Sequence, residues 1–378
     1  MIPIRFGVAC ALVGAWLLAG CSTSGPEPTP LESFKAEVNP KVAWKASAGE
    51  SGAFIFSPGI WEGDFFIAGT EGEVQRLDGR NGKRRWRVDL DVALAGGVGA
   101  ADGLAVVGTS KGEVIALDAA TGKVRWKAQV TSEVLSAPVI GDALVLVRSG
   151  DGRVAGLDAT DGTRKWEYIP TSPPPLMLRG AFGLTLHEGH VYFGLPGGKL
   201  VALTAATGAL LWETAVAIPK GDTELERVSD IVNDPVVENG QVCAIAFQGR
   251  VACFDAARGT LAWARNASSI GGLAASDTAF FYVDDTGTLH AIDRASGGSL
   301  WKQARLLNRD LGEPGIVGRY VVVGDFEGYV HLFDSEDGRI VGRLSTDDSP
   351  VTTAPVRVGD RNFVVQTRGG RLYAVTLR

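Results

Sequence analysis

Two histidines, His187 and His190, stand three residues apart in LHEGHVYF, a spacing at which paired imidazoles can hold a transition metal. A third ligand is missing from their neighbourhood, and the Glu-Gly between them reads as an exposed turn. His290 and His331 fall at one slot of neighbouring repeats and read as packing residues rather than ligands. Asp78, Asp118 and Asp158 recur at a fixed interval, each followed four residues later by Gly. That spacing suits a carboxylate accepting hydrogen bonds from the amides of a turn rather than acid-base work. Cys243 and Cys253 share one hairpin, VCAIAFQGRVACF. A three-residue loop, Phe247-Gln248-Gly249, with a Gly bulge sets the two cysteines face to face, whereas a two-residue loop turns them to opposite faces. A disulfide and a pair of buried free thiols are both open. These residues give no catalytic site, no metal site and no cofactor.

The elements that hold them are repeats. In GEVIALDAATGKVRW, residues 112 to 126, the order is Gly, six residues on Asp, four on Gly, four on Trp. The rule holds for Gly72, Asp78, Gly82, Trp86; for Gly152, Asp158, Gly162, Trp166; for Gly249, Asp255, Gly259, Trp263; and for Gly287, Asp293, Gly297, Trp301. Thr204 takes the Asp slot between Gly198 and Trp212, and Gly342 takes the Trp slot of the seventh copy. Successive tryptophans from Trp86 to Trp301 lie 40, 40, 46, 51 and 38 residues apart, the period of a four-stranded propeller blade. The first Gly fits the left-handed position of a tight hairpin. The apolar run after it fits a strand buried on both faces. Trp begins the outer strand, where a widening ring needs bulk.

The eighth copy starts at Gly370 and stops at Arg378, one strand short. Lys41-Val42-Ala43-Trp44-Lys45 matches the Trp strands and has no blade before it. The expected fold is therefore all-β: an eight-bladed propeller of four-stranded antiparallel blades, spanning 39–378 and closed by an N-terminal strand that completes the last blade and leaves no free sheet edge.

Composition agrees. Fifty glycines serve the hairpins, and 45% hydrophobic residues suffice for a large core. The net charge of −6, with 37 basic and 43 acidic residues well mixed, argues against a nucleic-acid surface. Residues 1–20 read as a cleaved signal peptide, with Arg5 ahead of an apolar run too short to span a bilayer. Leu18-Ala19-Gly20-Cys21 resembles a bacterial lipobox, which implies a lipidated Cys21, and Ser22 after it implies export to the outer membrane. Residues 21–38, Pro- and Ser-rich at the start, read as a flexible tether reaching on the order of 25 Å.

Two insertions break the period, and both follow an outer strand, so they emerge on one rim. One is YIPTSPPPLMLRGAFGL, residues 168 to 184; the other is ETAVAIPKGDTELERVSDIV, residues 213 to 232. Three consecutive prolines are expected to stiffen the first and hold Leu176, Met177 and Leu178 away from the fold; the alternative is that Leu176 and Leu178 tuck back over the propeller face. An Arg179–Asp230 ion pair is expected to fix this loop.

The lipobox, the LDAxTGKxxW repeats and the two insertions together resemble the BamB family, lipoprotein propellers of the machinery that inserts outer-membrane β-barrels. PPLMLRGAFG resembles that family's Leu-x-Leu-Arg-Gly loop, and GDTELERVSDIVNDPVV its Thr-Glu-x-x-Arg-x-Ser-Asp segment. The resemblance implies a non-catalytic scaffold, lipid-anchored on the periplasmic side of the outer membrane. It implies that Leu176, Leu178 and Arg179 contact the POTRA domains of the barrel subunit BamA, with Asp230 beside them. The other subunits of that complex and unfolded outer-membrane proteins are further implied partners. Where the family often has a second acidic residue, this chain has Val232.

Two rivals share the repeats. Quinone-dependent dehydrogenases resemble them, but their site needs an adjacent-Cys disulfide, a Trp floor and acidic calcium ligands. Trp44, Trp86, Trp126, Trp166, Trp212, Trp263 and Trp301 fill structural slots, which leaves Trp61 alone. A glycan-binding or strand-capturing module is the other rival, and at 8% aromatic content few platforms remain for a sugar.

Overall fold

The computed structural model describes residues 26–171, 176–180 and 182–378. They form eight four-stranded antiparallel sheets arranged as the blades of a propeller. The first blade runs from inside outward as Gly59–Trp61, Asp64–Ala68, Glu73–Leu77 and Arg84–Asp89. The eighth combines Val356–Arg357, Asn362–Gln366 and Arg371–Leu377 with Pro40–Ser47, which pairs antiparallel to the last of them. The N-terminal strand thus closes the ring as the repeat count predicts.

The core lies between sheets. Val114, Ala116 and Trp126 of the second blade pack against Val145, Ala155 and Leu157 of the third, and the other interfaces follow suit. The second strand of each blade is sandwiched on both faces, as in Leu104–Gly108, every residue of which is buried. An unbroken apolar run is what such a strand requires.

Each repeat Trp does more than fill space. Its indole Nε1 donates to a backbone carbonyl in the next blade's outer turn: Trp86 to Ala119 at 2.8 Å, Trp126 to Ala159 at 2.9 Å, Trp166 to Ala205 at 2.8 Å. Its ring lies flat against the second Gly of that turn, where a Cβ on Gly162 would stand 2.5 Å from Trp126. The Asp of the turn accepts backbone N–H bonds, as from Arg80 to Asp78 and Thr160 to Asp158. Gly, Asp and Trp therefore form one latch that spans two repeats. Trp44, Trp212, Trp263 and Trp301 close the same latch onto Gly79, Ala256, Arg294 and Ser335.

The missing Trp of the seventh blade follows from this. Its partner turn would join the third and fourth strands of the eighth blade, but these are Arg371–Leu377 and Pro40–Ser47, far apart in sequence. Val38, just ahead of the closing strand, is buried in that place, and a Cβ on Gly342 would meet it at 2.9 Å.

The stretch expected to be a free tether up to residue 38 is laid on the propeller from Glu27 onward. Leu31 and Phe34 pack into the core between the sixth and seventh blades, and Phe34 lies under the Arg343 guanidinium at 4.9 Å. The segment's composition hides three apolar residues: Leu31 and Phe34, in the groove between the sixth and seventh blades, and Val38, between the seventh and eighth.

Cys243 and Cys253 are opposed in register and joined by a disulfide. Their hairpin does close through Phe247-Gln248-Gly249, but Gln248, not Gly249, takes the left-handed conformation, with φ 47°. Gly249 is needed for space, because a Cβ there would meet Ala217 at 2.6 Å. His290 and His331 are hydrogen-bonded through Nε2 to Asp284 and Asp325 at 2.7 and 3.0 Å, so their slot does more than simple packing. His331 is fully buried, and this desolvation lowers its pKa despite Asp325.

Candidate docking surface

All connections from an outer strand to the next blade's inner strand emerge on one face of the ring, and there they converge on the axis. They enclose a cavity of about 490 Å³ whose wall includes Leu135, Leu178, Arg179, Val232, Asp234 and Glu313. The two insertions form part of this rim, as their position after an outer strand predicts. The expected site residues Leu176, Leu178, Arg179 and Asp230 come together there, although not as sequence reasoning paired them.

Asp230 does not bind Arg179. Its carboxylate is fully buried and accepts two backbone N–H bonds, from Leu178 at 2.6 Å and Gly197 at 2.9 Å. The backbone carbonyl of Asp230 accepts from Phe247 N–H at 2.9 Å. Both acceptor oxygens are occupied below the loop, so the long Arg179 side chain turns outward and lies 3.7 Å from Glu133. The Arg179 side chain is 72% exposed, which leaves that pair little energy of its own. The acidic residue thus fixes the loop through the main chain and frees the guanidinium.

Leu176 and Met177 are exposed, at 42% and 37%, while Leu178 is half-buried at the mouth of the cavity. The loop therefore presents two apolar side chains and one cation on a backbone pinned at Leu178. Exposed aliphatic groups beside a planar donor fork form a surface that a protein partner can cover. Val232, where a second acidic residue is absent, is buried in the cavity wall.

Arg148, which sequence reasoning passed over, lies beneath the loop. It is 3% exposed, sandwiched at 4.9 and 5.6 Å from the rings of Phe182 and Phe193, and donates to the Gly183 carbonyl at 3.1 Å. Burial lowers its pKa to about 10, against the pull of Asp234 and Asp230. A signal for it existed: four residues before the first Gly the corresponding slots hold Ala68, Gly108, Gly194, Ile245, Val283, Gly324 and Gln366, so Arg148 is the one charge at that slot. Asp234 packs so closely on Gly183 that any Cβ there would overlap its carboxylate.

The cavity is electrically unusual. Burial raises the pKa of Asp230 despite its two amide donors. Asp234 is pushed up to about 6 and Glu313 to about 8, burial leading in both and Asp234 adding to the second. Asp234 lines the open cavity and is itself exposed, whereas Glu313 on the same wall is half-buried. Among the described residues, no group of three metal-ligating side chains is found.

The sequence profile of the family described as "Outer membrane protein assembly factor BamB" matches residues 70–303. A relative of that name from Burkholderia pseudomallei is 40% identical over 370 residues, covering 97% of this chain and 96% of its own. The chain belongs to the BamB family. The crystal structure of BamB from Moraxella catarrhalis superposes with a TM-score of 0.82 at 27% identity, over 89% of this chain and 99% of that one. A quinohemoprotein alcohol dehydrogenase from Comamonas testosteroni also superposes, with a TM-score of 0.71 at 15% identity, covering 89% of this chain and 76% of its own. That likeness concerns the propeller fold alone. The relatives bearing the family name are called outer membrane protein assembly factors.

Proposed function

We propose that this chain is a non-catalytic scaffold of outer-membrane protein assembly. It is anchored through a lipidated Cys21 on the periplasmic side of the outer membrane, and it holds the POTRA region of BamA with the loop at Leu176, Leu178 and Arg179. The observation that carries the reading is the pinning of Leu178 N–H on buried Asp230, which presents Leu176, Met177 and Arg179 on an ordered backbone. A loop fixed before binding loses less entropy on association. Family membership supports the assembly role, and the lipobox-like Leu18-Ala19-Gly20-Cys21 supports the anchor. The binding role needs neither cofactor nor catalytic residue.

The test is capture of purified BamA periplasmic domains by the parent and by a Leu176→Glu, Arg179→Glu variant, with circular dichroism confirming that both are folded. Capture by the parent and loss in the folded variant supports the proposal. Equal capture by both moves the interface elsewhere, and capture by neither removes BamA as partner.

A further inference from the structure

The docked segment from Glu27 to Val38 changes where the chain leaves the propeller. The ring has two faces. One carries the turns between second and third strands together with the blade-to-blade connections, including both insertions. The other carries the Asp-Gly turns that the tryptophans latch. The closing strand begins at Pro40 on the latch face, where Asn39 N–H donates to the Arg378 carbonyl at 3.0 Å. A chain released at residue 38 would depart from that latch face.

The structure routes it otherwise. Working back from residue 38, the amides of Val38 and Glu37 donate to the Val341 carbonyl at 3.1 and 2.9 Å, and Arg343 Nη1 donates to the Glu32 carbonyl at 3.1 Å. The segment thus climbs the outer strand Ile340–Ser345 of the seventh blade from its first residues towards its last. Thr29 N–H then donates to the Leu307 carbonyl at 3.0 Å, and Asn308 Nδ2 to the Glu27 carbonyl at 3.1 Å. Leu307 and Asn308 belong to a blade-to-blade connection, on the insertion face. Arg309 beside them is 3% exposed, pairs with Asp325 at 2.8 Å and with Glu327, and gives a further bond to the Thr29 carbonyl at 3.2 Å. A buried cation with two acidic partners is a firm support for a strap.

We infer that residues 27–38 are a strap that carries the lipid anchor across the thickness of the ring, so that it leaves from the insertion face. This rests on the lipoprotein reading of Cys21. Cys21 lies six positions before Glu27, a reach of about 20 Å when extended. A lipid headgroup surface is then held near the face that bears Leu176 and Arg179, at the sixth and seventh blades, two to three blades round the ring from the insertions. The strap makes an orienting device of what the composition marks as a spacer.

The test uses the full-length lipoprotein in phosphatidylethanolamine and phosphatidylglycerol vesicles containing a nitroxide-bearing lipid. A fluorophore is placed at Glu71→Cys, in the insertion-face turn of the first blade, or at Arg80→Cys, in the latch-face turn of the same blade; both positions are exposed. The parent should show quenching severalfold stronger at position 71 than at position 80. A Leu31→Asp, Phe34→Asp variant should bring the ratio towards one and expose Lys35 to trypsin, while circular dichroism stays that of the folded ring. Equal quenching of the two labels in the parent overturns the inference, as does an unchanged ratio once trypsin shows the strap released. Absence of a lipid-modified Cys21 peptide by mass spectrometry refutes the anchor itself, and the inference falls with it.

Discussion

Replacing Asp230 by Asn probes the loop without changing its shape. The native carboxylate offers one oxygen to Leu178 N–H and the other to Gly197 N–H. Asn has a single acceptor, so its amide NH₂ must face one of these donors, and one buried N–H goes unpaired. An unsatisfied buried donor costs about 1–3 kcal/mol, and bonds to a charged acceptor sit towards the upper end of that range. Arg148 loses part of its charge compensation as well. If the loss falls on Leu178, the balance between pinned and loose loop shifts by roughly 10- to 100-fold, since about 1.4 kcal/mol is a factor of ten. Hydrogen exchange at the amides of Leu178 and Gly197, with Kd for the BamA periplasmic domains, reads this directly. One of the two amides should exchange at least tenfold faster. Binding should weaken by a comparable factor when that amide is Leu178, whose bond to Asp230 is the one that pins the loop. Unchanged exchange at both positions would refute the pinning argument, and fast exchange at Leu178 with unchanged Kd would refute its link to binding.

Three further outcomes follow from the same geometry. Trp126→Ala should destabilise the ring by about 3–5 kcal/mol in denaturant unfolding, and Gly162→Ala should also destabilise it, because its added methyl meets the same indole from the other side. Removing the disulfide with Cys243→Ala and Cys253→Ala should lower stability by roughly 2–3 kcal/mol, with a far-ultraviolet spectrum like the parent's. Glu313, raised to about 8 from an ordinary 4.5, holds more protons folded than unfolded between those values, and Asp234 does so up to about 6. Their contribution therefore falls as pH rises; below about 6.5 the lowered pKa of buried His331 acts in the opposite sense, so the fall should show between about 6.5 and 8, and Glu313→Gln should flatten it in thermal scans.

What could be read from the residues was whatever repeats. Gly, Asp and Trp recur because every blade solves the same packing problem, so their spacing gave the blade count and the closing strand. Contacts between repeats were less legible. The Trp latch spans two copies, and the reason for Gly342 lies in a turn that the chain ends never make. The strap escaped composition because its three apolar residues are diluted among Pro, Ser and Glu. At the candidate site, Leu176 and Leu178 were readable as apolar groups on a loop. The Arg179–Asp230 pair was not a safe inference, since opposite charges near one another in a loop say nothing about backbone amides competing for the same carboxylate. Arg148 needed a comparison of slots across blades, where it is the one charged residue.

The central claim is that the insertion face of this propeller meets BamA. A photoreactive amino acid at Met177, introduced in living cells, with a control at Thr121 on the latch face, tests it most directly. An adduct with BamA from position 177 and none from 121 is the predicted result. An adduct from 121 alone, or from neither position with both proteins present, would contradict it.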